Sequence, residues 1–179
     1  MSFPSFSAGE VLTAADMNAV GLWLVSTTTI GTGVTSVPVN NCFSSNFKSY
    51  RIVIENNDTN GAASHDIQLQ GITTANYYMA GHFWAWTVAA STTAYAPAPL
   101  TTFIVSANTA SGSGTQIIMD ITNPNLALRK YGWATSSAGN GALTVNLLSL
   151  STAAATGFTL GKSGNTMTGG TIRVYGYRN

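Results

Sequence analysis

Few side chains in this sequence could take part in catalysis, and their spacing matches no catalytic pattern. The chain has two histidines (His65 and His82), a single cysteine (Cys42) and six acidic residues among 179. Nucleophilic catalysis needs a nucleophile, a base and a group that orients the base. Asp66 follows His65, but adjacent residues of a strand point to opposite faces, so they are poor partners. We therefore expect His65 to be a surface or turn histidine.

Three other kinds of site are equally poorly supported. A glycoside hydrolase needs two placed carboxylates, and Asp66 and Asp120 could meet on neighbouring strands, but no pattern brings them together. Gly161-Lys162-Ser163 is similar to the end of a phosphate-binding loop, yet Thr156 occupies the position of the first glycine. The histidines and the cysteine lack metal-ligand spacing. The sequence predicts a protein that is not an enzyme, with no catalytic residues, cofactor or metal.

Aromatic residues are concentrated between positions 77 and 86. Exposed aromatic faces stack on sugar rings and anchor protein contacts, whereas buried ones fill a core or line a subunit interface. Both alternatives are open here. The candidate receptor or subunit contacts are Tyr77, Tyr78, His82, Trp84 and Trp86. Trp23 and Trp133 lie in apolar stretches and are predicted to be core or interface residues.

The charge content is low and limits the classes of partner. Only 7% of residues are charged, against ~25% in a typical domain, while 45% are apolar and 10% aromatic. Such a chain can fold, and its surface repels neighbours weakly, which suits an assembly. The seven basic residues are scattered and the net charge is +1, so nucleic acid is not an expected partner.

The sequence also predicts no membrane insertion and no disulfide. No stretch reaches the ~18 apolar residues of a membrane span, and no basic-then-apolar signal opens the chain, so we expect synthesis in the cytoplasm without export. A lone cysteine is usually a small buried hydrophobe, which is our prediction for Cys42.

Beyond the first twenty residues the pattern is that of β-strands. Apolar and polar residues alternate with period two in residues 47–55, 65–70, 116–122, 143–147 and 172–177. Turn-forming residues fill 56–61, 111–114, 138–141 and 161–165, and we expect a long loop within 76–99. The pattern predicts an all-β fold, an antiparallel two-sheet jelly-roll sandwich of roughly eight to ten strands.

The N-terminal residues are predicted to form a separate segment. Phe3 and Phe6 lie among small polar residues, which is typical of an extended arm with aromatic anchors. Thr13 is a good N-cap and Asp16 suits the positive end of a helix dipole, so one short helix is expected from Thr13 to about Val20. We therefore divide the chain into a docking arm with a short helix, 1–21, and a β-sandwich knob domain, 22–179.

Two parts of the sequence resemble proteins of bacteriophage particles. Residues 6–18, FSAGEVLTAADMN, are similar to a short N-terminal motif of phage tail and fibre proteins. The remainder resembles a family of phage structural proteins in four steps along the chain. These are W-x-x-S-T-T at 23–28, Y-x-x-x-I at 50–54, A-N-Y-Y at 75–78 and a closing Y-G at 175–176. No long fibrous shaft precedes the knob, which departs from many fibre proteins.

The resemblance implies a jelly-roll knob, commonly trimeric, on the tail or capsid surface of a virion, without catalytic residues. The arm would then dock to other virion proteins through Phe3, Phe6, Leu12 and Met17. We expect a tail-fibre or knob component for host attachment, with a homotrimer, other virion proteins and a host glycan or receptor as partners. The alternatives are a capsid decoration or tail plug that binds no receptor, and a bacterial lectin or depolymerase outside any virion.

Overall fold

A computed structural model describes residues 21–86, 99–107, 112–162 and 164–177. Within these ranges the chain is all-β, with no helix and two antiparallel sheets. The strands are β1 (Leu22–Thr29), β2 (Ser36–Val39), β3 (Ser49–Thr59), β4 (His65–Leu69), β5 (Tyr77–Ala85), β6 (Phe103–Ile104), β7 (Thr115–Thr122), β8 (Lys130–Ala138), β9 (Gly141–Ser149), β10 (Phe158–Lys162) and β11 (Met167–Tyr177). The arm, the short helix and the docking residues Phe3, Phe6, Leu12 and Met17 lie outside the described residues.

The strand order confirms a two-sheet sandwich of the jelly-roll kind. The larger sheet runs β1-β11-β3-β7-β8-β9-β5 and the smaller one β2-β10-β4-β6. In a jelly roll the first strand pairs with the last and the second with the next to last, as β1 with β11 and β2 with β10 do here. Strands β8, β9 and β5 extend the larger sheet beyond β7, which accounts for a count above the predicted eight to ten.

The core lies between the two sheets and follows the predicted alternation. Ile52 and Ile54 of β3 and Ile117 of β7 are buried from the larger sheet, and Ile67 of β4 and Leu160 of β10 from the smaller. Fully burying such a side chain contributes about 1.5–3 kcal/mol. The alternate residues of β3 and β7 must therefore point away from the core.

Besides 138–141, whose end residues close β8 and open β9, three predicted loops hold strand residues. β3 continues to Thr59, whose partner is Met167 of β11, although residues 56–61 have the composition of a loop. β10 likewise continues to Lys162. β5 occupies the first half of the region predicted to be a long loop, and residues 87–98 lie outside the described ranges. The loop prediction from polar composition failed at these positions because strands distant in sequence provide hydrogen-bond partners for the backbone.

The prediction for His65 is wrong, because this side chain is 0% exposed. Its backbone N–H donates to Ser106 Oγ over 2.8 Å, its Nδ1 lies 3.0 Å from the same oxygen, and its Nε2 lies 3.2 Å from Asn56 Oδ1. Burial, with a smaller effect of the Lys162 charge, lowers the pKa of His65 to about 4. Asn56 belongs to β3 and Ser106 to the segment after β6, so the sequence next to His65 does not reveal these partners.

Cys42 is buried, as predicted, and burial raises the pKa of its thiol to about 12. A thiol with such a pKa stays protonated, and it contributes to the core as a small hydrophobe.

Candidate functional site

The face of the larger sheet that points away from the core, called the outer face here, carries two aligned rows of side chains. The pairing register places seven residues, one from each strand, directly side by side across the sheet. This central row is Leu24, Tyr175, Arg51, Asp120, Trp133, Asn146 and Ala80. Because neighbouring strands lie ~4.8 Å apart, side chains of the row are close enough to interact.

A second row lies two residues further along each strand. This tyrosine row is Leu22, Tyr177, Ser49, Thr122, Tyr131, Leu148 and Tyr78. The two rows therefore place several aromatic side chains on a single sheet surface, with polar residues between them.

Tyr131 and Trp133 of β8 are the most central of these aromatic residues. Tyr131 is 52% and Trp133 is 38% exposed, although β8 is an interior strand of the sheet. Residues two apart on a strand lie ~6.7 Å from each other on the same face. Large exposed aromatic residues of this kind are typical of binding sites.

Local sequence explains why these two side chains point outward. On the opposite face of β8, Gly132 and Ala134 are followed by Ser136 and Ala138, and all four are small. Gly132 lies close to the carbonyl oxygen of Asp120, which a Cβ atom would meet. Small residues allow close packing on the core side, and the bulky residues of β8 are left on the outer face.

Two shallow grooves flank Tyr131. The polar groove has a volume of about 590 Å³ and is lined by Ser49, Asp120, Thr122, Tyr131, Gly132, Trp133, Asn146 and Tyr177. The apolar groove has a volume of about 530 Å³ and is lined by Tyr78, Met79, Ala80, Tyr131, Gly132, Asn146, Leu147 and Leu148. Tyr131, Gly132 and Asn146 belong to both grooves, which are therefore contiguous.

Asp120 is the acidic residue of the polar groove, and its carboxylate is held by two neighbours. Arg51 donates from Nε to Oδ1 over 2.9 Å and from Nη2 to Oδ2 over 2.7 Å. The Tyr177 hydroxyl donates to Oδ1 over 3.0 Å. The Arg51 guanidinium also lies 5.6 Å from the centroid of the Tyr177 ring. These contacts fix the position of the carboxylate and neutralise its charge.

The protonation of the two donors agrees with this geometry. Burial raises the pKa of Tyr177, and the hydrogen bond to Asp120 raises it further, so the phenol keeps its proton and donates it. The hydrogen bond to Asp120 raises the pKa of Arg51. Both donors are thus fully protonated near neutral pH.

A second ion pair, Arg173 with Glu55, lies near the two rows. Arg173 Nη1 lies 2.8 Å from Glu55 Oε2, which also accepts a hydrogen bond of 3.3 Å from the Thr171 hydroxyl. The two ion pairs, Arg51 with Asp120 and Arg173 with Glu55, therefore each carry no net charge.

The candidate residues predicted from sequence lie in different places. Tyr77 is 0% exposed, and its hydroxyl donates to the Ile72 carbonyl over 2.7 Å and accepts from the Leu69 N–H over 3.0 Å. Tyr77 is therefore a core residue, whereas Tyr78 points to the outer face and lines the apolar groove.

His82 and Trp84 also lie on the outer face, with their rings 5.9 Å apart, but they line neither groove. Trp86 is exposed and donates from its indole nitrogen to the Ala138 carbonyl over 2.8 Å. Trp23 and Trp133 are both more than a third exposed, so the alternative that they are core residues is wrong. Whether they form an interface stays a prediction.

Sequence reasoning missed most of the site, namely Asp120, Tyr131, Asn146 and Tyr177. One signal was present in β8, where bulky aromatic residues alternate with Gly132 and Ala134. That alternation identifies the small residues as the packed face and leaves the aromatic face outward. The neighbours from β7, β9 and β11 have no comparable local signal.

The described residues give little support to other chemistry. Asp66 lies in the smaller sheet and Asp120 in the larger, so these carboxylates do not form a pair. The described ranges contain no group of three or more His, Cys, Asp or Glu side chains placed to hold a metal ion. In the same ranges, no helix has the length and apolar character needed to cross a membrane.

Comparison with known proteins identifies no family. No protein-family model matches the chain, and no curated protein matches it. Among solved structures, the chain is similar to an aerolysin-like protein from Bombina maxima at 10% sequence identity and a TM-score of 0.14, over 84% of this chain and 88% of that chain. A likeness at this TM-score carries no inference about fold or function.

Proposed function

We propose that the chain is a non-enzymatic virion structural protein, a tail-fibre or knob component of a bacteriophage, and that the part of its outer face around Tyr131 and Trp133 contacts the host surface. The observation that carries this proposal is the pair of outward-facing rows in which Tyr131 and Trp133 are exposed. Monomeric proteins rarely expose a contiguous surface of this character unless it binds a partner.

The rest of the molecule is consistent with a rigid support for such a surface. Strands β8, β9 and β5, which carry much of both grooves, are additions to the edge of a jelly-roll sandwich. Side chains on interior strands are held by pairing on both sides, so the contact residues are positioned before any partner binds. Attachment through a preformed surface has a low conformational cost.

A second exposed feature supports assembly with other copies or other virion proteins. β1 is an edge strand, and its residues Leu22, Trp23 and Leu24 are all more than a third exposed. Exposed apolar edge strands associate unless they are protected, so β1 suits a contact between subunits. A homotrimer that is mounted through its N-terminal arm would use this edge.

The test is whether the protein is part of a particle and binds cells. Mass spectrometry of purified particles should detect the chain, and light scattering of the purified protein should give three times the mass of one chain. Labelled protein should bind the cells that the particles infect. Absence of the chain from particles would refute the proposal, and presence without cell binding would favour a capsid decoration or tail plug.

A further inference from the structure

We propose that the polar and apolar grooves together form one binding site for a neutral oligosaccharide. This inference rests on the proposed attachment function and adds to it the site and the chemical class of the ligand. The residues expected to contact the ligand directly are Tyr131, Trp133, Asp120 and Asn146.

The shape of the site suits an elongated ligand. The grooves share Tyr131 and Asn146, and together they extend from Tyr177 on β11 to Tyr78 on β5. The two grooves cross six adjacent strands, and the five spacings of ~4.8 Å between these strands give the site a length of about 24 Å. A site of this length accommodates several linked rings in a row, whereas a single small metabolite would fill only part of it.

The side chains of the polar groove match both surfaces of a sugar ring. The C–H face of a pyranose packs against an aromatic face, which Tyr131 and Trp133 provide. Hydroxyl groups at the ring edge need donors and acceptors. A carboxylate has about four acceptor positions, and Asp120 uses three of them for Arg51 and Tyr177, so one is available to a ligand.

Asn146 supplies complementary groups on the other side of Trp133. It lies directly opposite Trp133 on β9 and is exposed. Within the described part of the chain, no hydrogen bond to its amide is seen. An amide offers both a donor and an acceptor, which suits two neighbouring hydroxyls of a sugar.

The charge balance favours a neutral ligand over an anionic one. The Asp120 carboxylate is paired with Arg51, and no charged side chain lines the apolar groove. An acidic sugar would bring its carboxylate towards Asp120, and the residues that line the two grooves include no cation to receive it. A neutral sugar makes hydrogen bonds to the fixed carboxylate without an added charge cost.

The same polar groups argue against a second copy of the chain as the occupant. The centres of protein interfaces are depleted of charged residues, and buried polar groups there require partners. The polar groove is lined by Asp120, whose partner in an ion pair is Arg51, by the Ser49 and Thr122 hydroxyls, which lie 3.2 Å apart, and by the amide of Asn146. A ligand rich in hydroxyl groups, which can both donate and accept, satisfies such a surface more readily.

The experiment is calorimetric titration of the full-length protein with neutral oligosaccharides of glucose, galactose, mannose, rhamnose and N-acetylglucosamine. Oligosaccharides of sialic acid and of galacturonic acid serve as anionic comparisons. We expect binding of at least one neutral oligosaccharide, and a loss of affinity of about tenfold or more in Trp133→Ala and in Tyr131→Ala. Asn146→Ala should weaken the same interaction.

Trp84→Ala is the matched control, because Trp84 is an exposed tryptophan of the outer face that lines neither groove. The affinity of Trp84→Ala for the oligosaccharide should stay within about twofold of that of the parent. This is well below the tenfold loss, equivalent to about 1.4 kcal/mol, that is expected for the site variants. Circular dichroism and the midpoint of urea unfolding establish that each variant is folded before its affinity is compared.

Three results would overturn the inference: no binding of any neutral oligosaccharide, preference for the anionic ones, or equal losses in Trp84→Ala and Trp133→Ala. Dissociation of an oligomer by Trp133→Ala in light scattering would also overturn it, since the face would then lie between copies.

If the chain is found in particles and binds cells but no sugar, the attachment function stands with another ligand. If it binds sugar but is absent from particles, the proposed function fails and the site stands.

Discussion

Arg51 and Asp120 lie directly opposite each other on β3 and β7 and are joined by two parallel hydrogen bonds of 2.9 and 2.7 Å. The pair fixes one wall of the polar groove and removes its net charge. Since the side chains are 33% and 19% exposed, the pair is only partly shielded from water.

We expect this pair to contribute modestly to stability. In a double-mutant cycle with Arg51→Ala and Asp120→Ala, the coupling free energy from urea unfolding should be about 1 kcal/mol at low salt and should decrease as salt is added. The more exposed pair Arg173 and Glu55 is the control and should give a smaller value. A coupling no larger than that of the control would show that the bidentate geometry adds nothing.

Lys130 is predicted to be the most sensitive charged residue of the fold. Its ammonium is buried and lies 3.0, 2.6, 3.2 and 2.6 Å from the carbonyl oxygens of Leu126, Leu128, Ser151 and Ala153, so its three N–H groups are shared among these four acceptors. It thereby ties the loop before β8 to the loop after β9.

Lys130→Met should lower the free energy of unfolding by about 3 kcal/mol or more, because it leaves these buried carbonyl groups without a donor. Lys130→Arg should not restore it fully, since a planar guanidinium cannot reproduce the contacts of a compact ammonium. Chemical unfolding measures both variants against Lys48→Met, an exposed lysine that should change little. Equal stabilities of Lys130→Met and Lys48→Met would contradict the prediction.

The two adjacent tyrosines Tyr77 and Tyr78 should respond differently to the loss of one hydroxyl. Tyr77→Phe leaves the Ile72 carbonyl and the Leu69 N–H without a partner in the core and should cost about 1–3 kcal/mol. Tyr78→Phe alters only the outer face and should change stability by less than about 0.5 kcal/mol. Thermal and urea unfolding of both variants give the comparison, and similar losses would refute the assigned burial of Tyr77.

Stability should fall in mild acid because of His65. Its pKa is lowered from 6.5 to about 4 in the folded protein, so the unfolded state binds the proton more readily. Neutral His65 therefore contributes about 3 kcal/mol to the free energy of unfolding. This contribution is complete above pH 6.5 and is lost as the pH falls towards 4.

The comparison of parent and His65→Gln isolates this contribution from that of Asp66, whose pKa is raised by burial. Urea unfolding between pH 7 and pH 4 should show a flatter dependence in His65→Gln than in the parent. Parallel curves for the parent and His65→Gln would mean that His65 is not held neutral.

Deletion of residues 1–20 should separate folding from assembly. The eleven strands of the described residues all lie after residue 21, so the truncated protein should retain its β-sheet circular dichroism and its unfolding transition. It should no longer be incorporated into particles, as judged by mass spectrometry of particles grown with the truncated gene. Normal incorporation would show that the N-terminal segment is not the dock.

Local pattern was sufficient for the core strands and insufficient for the candidate site. The alternation of Ile52 and Ile54, and of Ile117 and Met119, identified the buried face, because side chains of a strand alternate with period two. The sequence did not separate Tyr77 from Tyr78, because a long loop was expected within 76–99, where the structure has β5 with Tyr77 on the core side. His65 was misassigned because its partners Asn56 and Ser106 come from other parts of the chain.

By itself the sequence determined that this protein is an all-β sandwich with little charge and little material for catalysis, since these properties depend on composition and on short-range alternation. The tertiary structure alone decided where the exposed aromatic residues meet polar ones. Trp133 acquires Asp120 on one side and Asn146 on the other only because β8 pairs with both β7 and β9 in one register. A shift of one residue would turn each of these side chains to the opposite face, and no local property of the three segments determines that register.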